Sequence, residues 1–264
     1  MAHGGVRRPQ SFDGVAALYD RARPRYPAAL VDDLVGATGI GPGSRVLEIG
    51  CGTGQLTVPL ARRGVDLTAV EMGGNLAAVA RRNLAPFPTA QVVVSAFEDW
   101  PLPDEPFDLV VSATAFHWFD PAVRVEKSAA ALRPGGVLAI VETHWGMGQE
   151  PDDFWLASQV CFERWDPHHD PDFRPPRIKE VATTKPELEQ SRHFTGTELR
   201  RYPADRDHTA GSYCSLLGTW SNILGLEESA RAGLLGCLHD LIERRFGGTI
   251  VRHDLIDLWL AHRL

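Results

Sequence analysis

The chain has 264 residues, 44% of them hydrophobic, with 34 acidic side chains against 27 basic ones and a formal net charge of −7. That length suits one large domain or a core carrying an insertion, and the apolar fraction excludes global disorder. The acidic balance disfavours a partner held by bulk attraction to nucleic acid, and no run approaches the roughly 20 apolar residues that span a bilayer.

Residues Met1 to Gln10 are polar, carry Arg7 and Arg8, and lack the apolar stretch of a secretion signal. Residues 27–35 then read as a helix with Pro27 in its first turn. Arg45 to Ile49 is a strand, 55–63 a helix closed by Gly64, and Asp66 to Val70 the next strand. A helix over 75–84 leads to a third strand at 91–94, and 107–112 forms a fourth. Asp120-Pro121 predicts a helix start, Pro134-Gly-Gly136 breaks that helix, and 137–141 is a fifth strand. Apolar strands alternating with helices predict a parallel sheet covered on both faces.

After Glu142 the rhythm fails. Residues 143–190 are rich in Pro, His, Asp and aromatics, with one helix expected over 152–164. A strand near 198–206, helices near 209–224 and 227–246, and a hairpin-like pair over 249–264 complete the chain. There is no internal repeat and no low-complexity tract. Cys51, Cys161, Cys214 and Cys237 lie far apart without a CxxC pair. That spacing predicts neither a zinc knuckle nor a disulfide scaffold and suits a reducing cytoplasm.

The most informative segment is Val46-Leu-Glu-Ile-Gly-Cys-Gly-Thr-Gly54, directly after a strand and before a helix. In an open parallel sheet such a turn lies at the carboxyl edge, where ligands bind, and its glycines admit a ligand without a Cβ in the way. Glu71 ends the next strand, and its carboxylate can accept two hydrogen bonds from ribose hydroxyls. A dinucleotide fingerprint needs a small residue at 55, where this chain has Gln. An anionic Glu48 at the mouth of the turn would repel a pyrophosphate and welcome a cation. S-adenosylmethionine (SAM), with a sulfonium, an ammonium and no phosphate, fits that charge pattern better than NAD or FAD.

Glu48-x-Gly50-x-Gly52-x-Gly54, Glu71, Ala96-Phe97-Glu98, Phe107-Asp108-Leu-Val110 and Leu132-Arg-Pro-Gly-Gly136 together resemble class I SAM-dependent methyltransferases. The stretches Tyr19-Asp-x-Ala-Arg-Pro-x-Tyr-Pro27 and Ala-Phe-His-Trp-Phe-Asp120 resemble more narrowly the small-molecule methyltransferases of the trans-aconitate and methyltransferase-type-11 kind. The resemblance covers about Phe12 to Val141. It implies an α/β fold, Rossmann-like and doubly wound, with a mostly parallel seven-stranded sheet, an antiparallel last strand and an inserted lid or substrate segment. The divisions expected are 1–142 as the cofactor core with an N-terminal lid, 143–197 as the insertion, and 198–264 as the completion of the sheet.

The resemblance also implies roles. Gly50, Gly52 and Gly54 would pass under the methionine part of SAM, with Glu48 supporting its ammonium. Glu71 would bind the ribose, Met72 would pack on the adenine, and Phe97 and Glu98 would border it. The segment Ser112 to Ala115, with Ala113 at its centre, would offer a carbonyl to the ammonium. Tyr19 and Arg23 would come from the lid. Many relatives carry Asp where this chain has Ala96, so adenine recognition would rest on Glu98 or backbone. Met72 and Phe97 are also ordinary core residues by type, and Cys51 suits a small position in a tight turn.

His117 and Trp118 follow the fourth strand, and His144 and Trp145 the fifth, all at the carboxyl edge. Either histidine is placed to serve as a general base, and either tryptophan to line an acceptor pocket. The competing account makes His117 a structural histidine bonded to backbone and His144-Trp145 an exposed loop pair. His168-His169 reads as a polar lid loop rather than as metal ligands, so no metal is expected.

Methyl transfer from a sulfonium is an in-line displacement that needs positioning and water exclusion more than a nucleophile or metal. The chain is thus expected to be a cytoplasmic SAM-dependent methyltransferase acting at O, N or C of a small molecule. Its product would be S-adenosylhomocysteine, with no nucleic-acid or membrane partner and an oligomeric state left open. The alternatives are a SAM enzyme that cyclises or isomerises, a non-catalytic SAM-binding protein, and an NAD-dependent oxidoreductase. None of the three lysines has a tyrosine four residues before it, which counts against one common oxidoreductase motif.

Overall fold

The computed structural model describes residues 9–145 and 153–264. Expectations for residues 1–8, and the helix start at Asp152, lie outside the described residues. A 3₁₀ turn at Pro9–Val15 leads into α1 (Ala16–Ala22) and α2 (Ala28–Thr38), the latter ended by Gly39 at φ 67°. The alternation expected from sequence follows: β1 (Arg45–Ile49), α3 (Thr57–Ala61), β2 (Asp66–Glu71), α4 (Gly74–Leu84), β3 (Ala90–Val94), β4 (Phe107–Ala113), α5 (Arg124–Ala131) and β5 (Leu132–His144). Then come α6 (Asp153–Trp165), α7 (Pro186–Glu189), β6 (Phe194–Thr209), α8 (Ala210–Leu217), α9 (Ser221–Leu224), α10 (Glu228–Arg245) and β7 (Thr249–Arg263).

The seven strands form one sheet in the order β3-β2-β1-β4-β5-β7-β6. The pairs β1–β2, β2–β3, β1–β4 and β4–β5 are parallel, and the last strand is antiparallel. This is the doubly wound α/β fold expected. Strands covered on both faces must be apolar throughout, and Val46, Leu47, Ile49, Leu67, Val70, Val110, Leu138 and Ile140 are buried to within 1%. Fully burying each such side chain stabilises the fold by about 1.5–3 kcal/mol.

The chain divides into two compact units. The sheet unit comprises Pro24–Thr143, Ala182–Tyr202 and Ile256–Leu264. Its core joins Phe97, Phe107, Leu132 and Leu138 to Leu188, Phe194 and Trp259. Glu142 on β5 accepts hydrogen bonds from Lys185 Nζ at 2.5 Å and from Trp259 Nε1 at 3.1 Å, which ties the later segments into this unit. The helical unit comprises the described residues among those up to Arg23, His144–Val181 and Pro203–Leu255. Phe154 and Cys161 of α6 pack with Tyr213 and Leu217 of α8 and with Leu234, Leu238 and Ile242 of α10. Gly233 lies inside α10 because a Cβ there would sit 2.4 Å from the Trp165 ring.

Four expectations are corrected. Cys161 and Cys237 form a disulfide across 76 residues, their Cα atoms 5.7 Å apart. Helices α6 and α10 bring together what sequence spacing separates, so the cysteine pattern carries no argument for a reducing compartment. The segment 249–264 is one long strand instead of a hairpin, because the turn chemistry sits before it, in Gly247 and Gly248 at φ 63° and 86°. The helix expected at Asp120-Pro121 starts at Arg124, since the Asp120 Oδ1 accepts the Ala122 amide at 2.8 Å and holds a turn there. The strand expected over 198–206 is longer, Phe194–Thr209, and tolerates Pro203 because β6 is an edge strand. Among the described residues no helix is long and apolar enough to cross a membrane.

Candidate active site

The turn after β1 is built by glycines in conformations that side chains resist. Gly50, Gly52 and Gly54 have φ of 71°, 58° and 100°. A Cβ on Gly50 would lie 2.6 Å from that of Ala115, so the turn approaches the end of β4 closely. Its amides are fixed from the neighbouring strand: Gly50 N donates to the Val70 carbonyl at 2.8 Å, and Gly52 N donates to Glu71 Oε2 at 2.9 Å. The other Glu71 oxygen accepts the Gly73 amide at 2.9 Å. Asn83 on α4 donates from Nδ2 to the Thr53 carbonyl at 2.8 Å and braces the turn from outside.

Two carboxyl groups flank this turn in the dark of the fold, Glu48 at 1% exposure and Glu71 at 6%. Burial, helped by the nearby Glu71 charge and opposed by the Thr57 hydroxyl, pushes the Glu48 carboxyl from an ordinary 4.5 up to about 8. The expectation of an anionic Glu48 is thereby refined: burial favours the protonated carboxyl in the ligand-free chain. Glu48 Oε2 has no hydrogen-bond partner in the protein. A buried acid with an oxygen to spare beside an amide-lined glycine turn fits a cationic, phosphate-free ligand such as SAM. Burial likewise pushes the Cys51 thiol up, which suits a small packing residue better than a reactive one.

The other expected residues are distributed as follows. Met72 follows Glu71 directly and is 38% exposed, so it does not serve the core. Phe97 is 1% exposed and packs edge-on against Phe119, ring centroids 5.6 Å apart. Glu98 accepts the Asp120 amide through Oε1 at 2.9 Å. Ala113 ends β4. His117 is exposed on a 3₁₀ turn, its ring 4.8 Å from that of half-buried Trp118. All of these, with Glu48, Glu71 and the glycines, belong to the sheet unit. Tyr19, Arg23, His144 and Trp145 fall in the helical unit. There Arg23 lies over the Tyr19 ring at 4.9 Å and donates to Thr219 Oγ1 and to its carbonyl at 2.9 and 2.8 Å.

Sequence reasoning missed Thr114 as an individual residue. Among the described residues it is the non-glycine residue with positive φ, 54°. Strained residues of this kind persist where surrounding contacts over-determine them. Here the Thr114 amide donates to the Val141 carbonyl at 2.8 Å, and its hydroxyl meets Tyr26 Oη at 2.8 Å and Thr143 Oγ1 at 3.1 Å. No glycine or asparagine marks the position. The only sequence signal is its place after a strand at the carboxyl edge.

Residues 47–140 match the family model described as methyltransferase domain. An uncharacterized methyltransferase of Mycobacterium bovis is 39% identical over 131 residues, which cover 50% of this chain and 51% of the relative. The chain thus spans about half the length of the curated relatives it matches. Among solved structures, a candidate type II methyltransferase from Anaeromyxobacter dehalogenans aligns with a TM-score of 0.61 at 23% identity, covering 90% of this chain and 97% of that one. An N-methyltransferase of Haemonchus contortus, bound to phosphomonomethylethanolamine and S-adenosylhomocysteine, aligns with a TM-score of 0.54 at 16% identity, covering 97% of this chain and 60% of that one. The structural likenesses establish the fold, and the sequence matches fall on the glycine turn and the strands that frame it. Residues 47–140, the stretch that carries the glycine turn and Glu71, are thus similar to a methyltransferase domain.

Proposed function

We propose that this chain moves a methyl group from SAM to O, N or C of a small-molecule acceptor, chiefly by holding the two in line. The observation that carries this reading is the buried Glu48 carboxyl, partnerless at one oxygen, beside a turn of three left-handed glycines. SAM supplies an electrophilic methyl, so the protein's work is to bind, orient and exclude water. The turn offers close backbone approach to the methionine part, and Glu48 answers its positive charge. Glu71 spends one acceptor site of each oxygen on the amides of Gly52 and Gly73. An ionised carboxylate can accept about four hydrogen bonds, which is the chemistry that a pair of ribose hydroxyls calls for. Met72 presents an open thioether face to the adenine, Glu98 and the edge of Phe97 border it, and the Ala113 carbonyl faces the ammonium. His117, an exposed imidazole in the same unit, is the proton acceptor where the acceptor needs one.

Isothermal titration of SAM against the wild-type chain and Glu71→Ala tests the cofactor half. The expected result is at least a tenfold loss of affinity, and equal affinity removes the ribose assignment. The transfer half is read from product mass: incubation with SAM and an acceptor must add one methyl group to the acceptor, whereas a cyclase or isomerase leaves no such gain.

A further inference from the structure

Three hydroxyls meet where β4 and β5 end at the carboxyl edge of the sheet. Tyr26 Oη lies 2.8 Å from Thr114 Oγ1, which in turn lies 3.1 Å from Thr143 Oγ1. All three residues belong to the sheet unit, as does the glycine turn. Thr114 is the residue they hold. Its φ of 54° is one that a β-branched side chain resists, because the branch crowds its own backbone. In an unrestrained chain such a residue relaxes to negative φ. Here the amide is tied to the Val141 carbonyl at 2.8 Å and the hydroxyl to two neighbours, so backbone and side chain are pinned together.

A strand alternates its side chains between two faces, and a left-handed residue breaks that alternation and turns the chain. The residues after Thr114 run against the glycine turn. A Cβ on Gly50 would lie 2.6 Å from that of Ala115 and 3.2 Å from the Phe119 ring. Phe119 also stands edge-on to Phe97, with ring centroids 5.6 Å apart. From the other side, the amides of Gly50 and Gly52 are tied to β2. A contiguous series of contacts thus runs from Tyr26 through Thr114 to Ala115 and Phe119 and on to Gly50.

We propose that Tyr26 is a positioning residue: its hydroxyl holds Thr114 left-handed, and that kink presses Ala115 and Phe119 against Gly50 and so shapes the glycine turn. Tyr26 acts through Thr114 and not on the reacting atoms. That the shaped turn then receives SAM rests on the methyltransferase reading; the coupling itself does not. A hydroxyl chain that only knits β4 to β5 would stabilise the sheet edge and leave the turn indifferent to the φ preference of residue 114.

The test uses the full chain labelled with ¹⁵N-glycine, without ligand, and follows the amide resonances of Gly50, Gly52 and Gly54, with Gly233 of α10 as the control. Tyr26→Phe keeps the ring and removes the hydroxyl, and it should displace or broaden the resonances of the turn while Gly233 stays in place. Thr114→Ala, which loses the hydroxyl and keeps the strain, should do the same. Thr114→Gly adopts positive φ without help, so adding Tyr26→Phe to it should change nothing. S-adenosylhomocysteine is titrated into the same proteins. Tyr26→Phe should weaken its binding about fivefold, the size of one lost hydrogen bond, and should leave it unaltered in the Thr114→Gly background. If wild type binds no S-adenosylhomocysteine, the cofactor reading fails alone and the glycine resonances still decide the coupling. The proposal is overturned if Tyr26→Phe leaves those resonances at their wild-type positions and widths, or if it moves them equally in the Thr114→Gly background. Should Tyr26→Phe fail to fold, Thr114→Ala against Thr114→Gly carries the comparison, and identical turn resonances in the two overturn it.

Discussion

Replacing Glu48 with glutamine freezes the carboxyl in its neutral shape and isolates one pH effect. In the folded chain this group ionises near 8 instead of 4.5. Between those values the folded state holds a proton that the unfolded state has released, so stability falls as pH rises. At about 1.4 kcal/mol per pH unit the whole interval amounts to roughly 5 kcal/mol. His208 works in the opposite sense. Burial, then Arg252 and Arg206, push its imidazole from 6.5 down to about 4, so the unfolded chain binds the extra proton and stability rises with pH across that range. The two slopes oppose one another up to pH 6.5, and above it Glu48 acts alone. From pH 6.5 to 8 the wild-type chain should lose about 2 kcal/mol, which lowers the thermal midpoint by about 4–8 °C for a chain of this size. Glu48→Gln should be flat over the same window. Scanning calorimetry or circular dichroism of both proteins without ligand measures this, and parallel curves for the two would refute the buried, protonated assignment.

Three further outcomes are expected. At pH 7 a carboxyl with this affinity is about 90% protonated, so SAM binding should expel close to one proton. That proton appears as a dependence of binding heat on buffer ionisation enthalpy, and the assignment fails if Glu48→Gln shows the same dependence. Tyr26→Phe removes the 2.8 Å bond to the strained Thr114 and should cost about 1 kcal/mol in chemical unfolding, with SAM affinity lowered as the strand end relaxes. Equal unfolding midpoints would show that Tyr26 does not hold that residue. Thiol titration of the denatured, unreduced chain should find Cys51 and Cys214 alone. Reduction should cost about 4 kcal/mol for a loop of 76 residues by chain entropy, read in the melting of the helical unit. Four titrating thiols would contradict the bridge.

The sheet was legible because its signals are local. Each parallel strand is a short apolar run between a helix and a turn, and the glycines from 50 to 54 stand where only positive φ serves. Other features depend on partners distant in the chain. Cys161 and Cys237 meet because α6 packs on α10, which no spacing rule contains. Thr114 sits in a plain Ala-Thr-Ala stretch and adopts φ 54° because Tyr26 and Thr143 hold it. The stretch from Val251 to Asp254 reads as part of a surface hairpin, yet β7 inserts between β5 and β6, and Arg252 and Asp254 are buried. The expected roles of Glu48 and Glu71 rest on position, whereas the protonation of Glu48 follows from burial that only the folded core supplies.

The threading of the sheet sets an order of events during synthesis. β7 lies between β5 and β6, so β6 has no edge to join until β7 has been made. Neither compact unit is a continuous stretch, and both draw residues from β7. A ribosome-bound chain that stops short of β7 therefore exposes the open edge of β5. Maturation should be slow, dominated by contacts of long sequence separation, and completed in one late step that closes both units together.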